Sequence, residues 1–160
     1  MGLKKWVVLL IGIMMVLSLA ACGSGQHPEP NATQNGAAKP EDDVEESMRL
    51  FIGDTEVSVA WEDNRSVDAL RNLTKAEPLV ISMSMYGGFE QVGSIGSSLP
   101  RDDKQTTTQA GDIVLYSGNQ IVIFYGSNSW AYTRLGRITD KMASEMADLL
   151  GNGNVSITIR

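Results

Sequence analysis

Residues 48–160 predict a mainly β domain, a compact barrel or sandwich carrying two short peripheral helices. Three observations lead there. Apolar residues alternate with period two through most of the segment, glycine-rich turns separate the runs, and only two stretches show helical spacing.

Met48 to Ile52 reads as a first strand and Gly53-Asp54 as a hairpin turn. Thr55 to Trp61 continues it, with Val57, Val59 and Trp61 on one face. Asn64 suits a helix N-cap, because its side-chain oxygen can accept from the first free amides, and Val67, Leu70 and Leu73 follow at helical spacing. Pro78 marks the stop. Leu79 to Tyr86 alternates again, and Gly87-Gly88 breaks the pattern. The middle, punctuated by Gly93, Gly96, Ser97, Ser98 and Pro100 and by the polar run Gln105 to Gln109, reads as loop. Asp112 to Tyr116 and Gln120 to Tyr125 flank the turn Ser117-Gly118-Asn119. Their near-continuous apolar runs predict central strands buried on both faces. Tyr132 to Ile138 is a further strand or extended arm. Thr139 to Leu150 reads as a helix with Met142, Met146 and Leu149 or Leu150 on one face, closed by Gly151-Asn152-Gly153, and Val155, Ile157 and Ile159 alternate in a last strand.

The chain before this domain has a different character. Lys4 and Lys5 precede the apolar run Trp6 to Leu19. Fourteen residues make a helix of about 21 Å, short of the roughly 20 residues a membrane span needs but suited to a signal peptide. The stretch Leu19-Ala20-Ala21-Cys22 then resembles the lipobox of bacterial lipoproteins. That resemblance implies cleavage before Cys22, a diacylglyceryl group with palmitate-type chains on its thiol, and a lipid-anchored place on the extracytoplasmic face of the cell membrane. Two acyl chains hold firmly where one binds reversibly. The other reading is an ordinary secretory signal cut near Ala20-Ala21. Residues 1–21 are thus assigned to the leader and 22–47 to a tether. The tether is rich in Gly, Pro, Asn, Gln, Ala and acidic residues, with Val44 its sole large apolar residue, so it cannot offset its own ordering entropy.

Charge and composition remove several functions. The domain carries ten basic against thirteen acidic side chains, which is no nucleic-acid footprint. The chain's one cysteine, Cys22, and its one histidine, His27, both precede the domain. No Ser-His-Asp triad, Cys-His dyad or histidine-ligated metal site can therefore be built within it. No phosphate-cradling glycine motif occurs. The expectation is a domain with no cofactor, no metal and no nucleic-acid partner. Asp63, Asp112 and the Asp102-Asp103 pair are read as turn and cap residues rather than as a catalytic carboxylate pair.

Several runs, taken in order, resemble the cyclophilin-like fold proteins of bacteria: Met48 to Gly53, Asp63-Asn64, Pro78-Leu79, Tyr86 to Glu90, Gly111 to Tyr116, Asn119 to Gly126 and Trp130 to Ile138. The resemblance implies a small closed β-barrel like that of cyclophilin, with helices at its ends. It implies little about activity, since a fold hosts many functions. Proline isomerisation in true cyclophilins uses an arginine beside an aromatic pocket, with a histidine and a tryptophan at the rim. The domain has no histidine, and of its arginines Arg101 and Arg134, near aromatic or glycine-rich segments, are the two to consider for that role. The isomerase is therefore the alternative to a binding module for a small molecule or peptide.

One constellation suits a ligand site. Ser127, Asn128, Ser129, Trp130, Tyr132 and Arg134 place hydroxyls, aromatic faces and one cation in one short segment, and Tyr86, Phe89 and Arg101 can supply the opposite wall. The competing reading has Trp130 and Tyr132 plugging a barrel end while Arg134 pairs with an acidic neighbour.

Overall fold

The computed structural model describes residues 47–160. The leader, Cys22, His27 and the tether up to residue 46 lie outside the described residues.

The domain is mainly β with two helices. Strands β1 (Leu50–Ile52) and β2 (Thr55–Val57) form the expected hairpin, with Gly53 at φ +56° in its turn. Strand β3 (Val59–Trp61) leads into helix α1 (Arg65–Thr74). Asn64 caps that helix, its Oδ1 accepting from the amides of Ser66 and Val67, both at 3.0 Å. Strands β4 (Leu79–Ser82), β5 (Ser84–Tyr86), β6 (Glu90–Ser94) and β7 (Lys104–Thr107) follow. The hairpin of β8 (Asp112–Tyr116) and β9 (Gln120–Phe124) comes next, then the ten-residue β10 (Ser129–Ile138), helix α2 (Ala143–Leu150) and β11 (Ser156–Ile159).

The strands pair antiparallel in two sheets. One has the order β2-β1-β11-β4; the other runs β3-β10-β8-β9-β6-β5, with β7 added along the first half of β10. The expected closed barrel is not found: among the described residues the hydrogen-bonded ladders leave both sheets open. The sheets are joined by backbone that bends from one into the other. The expected single strand over Thr55–Trp61 divides at Ser58, and that over Leu79–Tyr86 divides at Met83. At each corner the backbone amide leaves the ladder and is satisfied elsewhere. Ser58 donates to Asp140 Oδ1 at 3.0 Å, and Met83 donates to the Val155 carbonyl at 2.8 Å.

Two segments read as loop are strands, β6 and β7. Strand β6 sits between β9 and the edge strand β5 of the second sheet. Its Gly93 lies against the β4–β5 corner, where a Cβ would run into the Met83 sulfur, Ile81 and the Ser82 carbonyl. Glycine is required there by close approach, and glycine is also what hid the strand. Helix α2 is shorter than expected. Met142 lies before it and is exposed rather than on the buried face, while Met146 and Leu150 are fully covered.

The main core fills the space between the sheets, with Leu50, Ile81, Ile113, Leu115, Ile121, Ile123, Leu135, Ile157 and Ile159 sealed by Val67 and Leu70 of α1 and Met146 and Leu150 of α2. A second, smaller cluster of Val114, Val122, Phe124 and Tyr132 lies apart from it, with Phe89 and Val92 packed alongside. Successive residues of a strand face opposite ways, so β8 and β9 send Ile113, Leu115, Ile121 and Ile123 inward and Val114, Val122 and Phe124 to the other face. Both strands are central and buried on two sides.

Candidate functional site

The outer face of the second sheet carries a cleft of about 440 Å³. Antiparallel pairing assembles it from elements far apart in sequence. Tyr86 pairs with Glu90, Val92 with Val122, and Tyr116 with Gln120, so each pair projects to the same side. The long strand β10 brings Trp130 and Tyr132 across the top, and Asn128 stands just before it. Three of the chain's four tyrosines line this cleft.

The walls are aromatic and the floor is apolar. Tyr132 is nearly buried and stands edge-on to two rings, Tyr116 at 6.1 Å and Phe124 at 5.7 Å between centroids. Its hydroxyl accepts from Asn128 Nδ2 at 3.0 Å. Burial first, and the neighbouring Glu90 charge second, raise the Tyr132 phenol above its ordinary range. Tyr86, Tyr116 and Trp130 keep between 38% and 66% of their surface exposed. Large rings left in water around a single cleft are the usual mark of a recognition surface.

Glu90 is the polar centre of the cleft. It is 6% exposed, and its Oε2 has no hydrogen-bond partner among the described residues. Burial alone pushes its carboxyl up to about 7. The adjacent Gln91 faces the opposite way, its Nε2 donating to the carbonyls of Leu150 at 2.7 Å and Gly153 at 2.6 Å. That clamp ties β6 to the end of α2 and fixes which face Glu90 presents.

A second cleft of about 720 Å³ lies beyond Tyr132 and has a different chemistry. It is lined by charged and polar groups, Glu62, Asp63, Arg101, Asp102, Lys104 and Arg134 among them. These charges are largely paired with one another. Arg134 reaches Glu62 Oε1 at 3.2 Å and the buried Asp112 Oδ1 at 3.2 Å, and Arg137 reaches the same Oδ1 at 2.8 Å. Asp112 Oδ2 accepts from the Gln109 amide at 2.9 Å, which pins the entry to β8. Arg101 pairs with Asp103, whose other oxygen accepts from Thr133 Oγ1 at 2.6 Å. The Arg101 guanidinium holds the Asp103 carboxyl below the usual carboxylate range.

The residues expected to form a ligand site therefore divide. Tyr86, Asn128, Trp130 and Tyr132 line the aromatic cleft, while Arg101 and Arg134 line the polar one, with Tyr132 shared between them. Ser127, Ser129 and Phe89 line neither. Ser129 hydrogen-bonds Thr107 Oγ1 at 2.7 Å, and Phe89 packs beneath, with its backbone carbonyl accepting from Tyr125 and Gly126. Sequence reasoning missed Glu90, Val92, Tyr116, Gln120 and Val122 as lining residues. The Gly87-Gly88 turn after Tyr86 was the available signal: a hairpin there returns a partner strand beginning at Glu90.

Fold and site together define a small two-sheet β domain with an open aromatic cleft on one face. The chain belongs to the cyclophilin-like family, which matches residues 50–160. Among solved structures it is similar to McbB in complex with tryptophan, at 11% identity and a TM-score of 0.53 over 71% of this chain and 44% of that one. The chain thus spans less than half the length of McbB. It is also similar to the hypothetical protein AF2241 from Archaeoglobus fulgidus, at 17% identity and a TM-score of 0.52 over 71% of this chain and 92% of that one. At such identities these likenesses concern the fold alone. No curated protein matches the chain.

Proposed function

We propose that this protein is a membrane-anchored lipoprotein whose cyclophilin-like domain binds a small ligand outside the cytoplasm without catalysing a reaction on it. The observation that carries the binding reading is the aromatic cleft: three exposed rings and one buried carboxyl, its Oε2 without a partner among the described residues, converge on a space of small-molecule size. The anchoring reading rests on Leu19-Ala20-Ala21-Cys22 and on the spacer composition that follows it. A lipid on Cys22 and a tether of about 25 residues would hold the domain off the bilayer with its cleft free.

The competing isomerase reading asks for an arginine available to a proline amide. Arg101 and Arg134 are each engaged by a carboxylate, so the binding module is the better fit.

Three measurements test this. The native protein, fractionated from cells, is expected with the membranes and with an acyl-modified N-terminal cysteine, whereas Cys22→Ser is expected to carry no acyl group; unmodified native protein free in solution overturns the anchor. A melting screen of the Cys22→Ser chain against a small-molecule library is expected to return binders whose shift is lost in Trp130→Ala, since ligand binding raises the midpoint by mass action. Catalysed isomerisation of a proline peptide, abolished by Arg101→Ala or Arg134→Ala, would instead establish the enzyme.

A further inference from the structure

We propose that the aromatic cleft takes a small organic cation, an ammonium group on a compact apolar body, with the Glu90 carboxylate as its counter-ion and the rings of Tyr86, Tyr116, Trp130 and Tyr132 as its walls. This rests on the reading of the cleft as a ligand site and adds the chemical class.

The argument starts from what Glu90 lacks. A carboxyl oxygen buried without a donor is an unfavourable arrangement that a ligand can relieve. Among the described residues no Lys, Arg or His lines the cleft. An anionic ligand would therefore meet a carboxyl and no compensating charge. A neutral apolar ligand would bury that oxygen further and give it nothing. A cation supplies the missing partner, and the negative faces of tyrosine and tryptophan rings attract it in addition. The tryptophan is the strongest such face, and here it lines the cleft with more than half its surface exposed. A hard divalent metal fits poorly, because it asks for several oxygen ligands and the cleft offers one carboxylate beside two amide side chains, Gln120 and Asn128.

The ionisation of Glu90 supports this geometry. With its carboxyl near 7, roughly half the molecules carry the charge at neutral pH, and a cation binds that half. The other ionisable groups on the cleft, facing Glu90 from β5, β8 and β10, are the phenols of Tyr86, Tyr116 and Tyr132, a group type uncharged near neutrality. Binding should therefore displace a proton from Glu90 and tighten as pH rises.

The test uses the Cys22→Ser chain and two probes of the same shape: choline and its neutral carbon isostere, 3,3-dimethylbutan-1-ol. Calorimetric titration, with Trp fluorescence as a second readout, is run at pH 6 and pH 8. Choline is expected to bind about tenfold tighter than the isostere at pH 8. Its affinity is expected to fall roughly tenfold at pH 6, where the ionised fraction drops from about nine-tenths to one-tenth. Glu90→Gln should erase the pH dependence and shrink the preference for choline to the part the rings supply, and Trp130→Leu, at an exposed position, should weaken choline selectively. Equal binding of the two probes, insensitive to Glu90→Gln, overturns the cation while leaving a ligand cleft. Binding of neither probe overturns the cation as well. Only if the library screen also returns no binder sensitive to Trp130 does the cleft reading itself fall.

Discussion

Glu90 gives the protein a stability profile opposite in sign to that of an ordinary surface carboxylate. Its carboxyl titrates near 4.5 in the unfolded chain and near 7 in the folded one, with burial as the cause. Between those values the native state holds a proton that the unfolded state has released. Stability therefore falls as pH rises through that window, and the whole deficit is in place above pH 7. At about 1.36 kcal/mol per pH unit, the displacement sets a ceiling of about 3 kcal/mol. The cleft opens to water, which screens part of it, so about 2 kcal/mol is expected. Glu90→Gln keeps the shape and removes the charge. Urea unfolding of both chains at half-unit steps from pH 5 to pH 8 isolates the effect, because every other titrating group is common to the two. The stability of the unsubstituted chain relative to Glu90→Gln should drop by about 1 kcal/mol or a little more from pH 5 to pH 8, the rest of the deficit having developed below pH 5. Parallel profiles would show that water or a local rearrangement already satisfies the carboxylate, and the reasoning from burial would fail.

Other consequences follow from single contacts. Asn64→Ala removes the α1 cap and the side-chain bond to the Arg134 carbonyl, and should cost about 1 kcal/mol, read as a fall in Tm of about 4–8 °C. Gly93→Ala forces a methyl into the β4–β5 corner and should cost about 1–3 kcal/mol by chemical denaturation, whereas alanine at Gly88, where a Cβ meets nothing, should register only the strain of its positive φ. Asp112→Ala leaves Arg134, Arg137 and the Gln109 amide without their shared acceptor. About 1.5–3 kcal/mol should be lost, and Arg137→Ala, at a half-exposed cation, should lose clearly less.

What the sequence disclosed was local. The Gly53-Asp54 hairpin, the Asn64 cap and the alternation of Ile157 and Ile159 each depend on a few neighbouring residues, and each is found where expected. The corners at Ser58 and Met83 were not legible, because the alternation of apolar residues runs unbroken through both bends. What turns the chain there is a bond to Asp140 or to Val155, more than seventy residues away. Strand β6 was hidden for a related reason: Glu90, Gln91 and Gly93 have the composition of a loop, and Gln91 and Gly93 are each there for a long-range contact. The site inherited that gap. Trp130 and Tyr132 announce themselves as aromatics, but that Tyr116, Gln120 and Glu90 stand beside them follows from the strand order β10-β8-β9-β6, which no local pattern encodes.

The second sheet works as a partition, and adjacent residues of β9 demonstrate it. Ile121 and Val122 are both buried, yet Ile121 belongs to the core between the sheets and Val122 to the floor of the aromatic cleft. Burial alone would assign them the same role. The pleat assigns them different ones. Ile121→Val deletes one methylene from the main core and should cost about 0.5–1.5 kcal/mol without reaching the cleft. Val122→Ala deletes two carbons beneath Phe124 and Tyr132, loosening the floor on which the Tyr132 ring stands. It should alter Trp130 fluorescence and ligand response at a modest stability cost. Stability and probe binding measured on both variants settle the matter: if Ile121→Val disturbs the cleft as much as Val122→Ala does, the two faces are mechanically coupled and the partition is wrong.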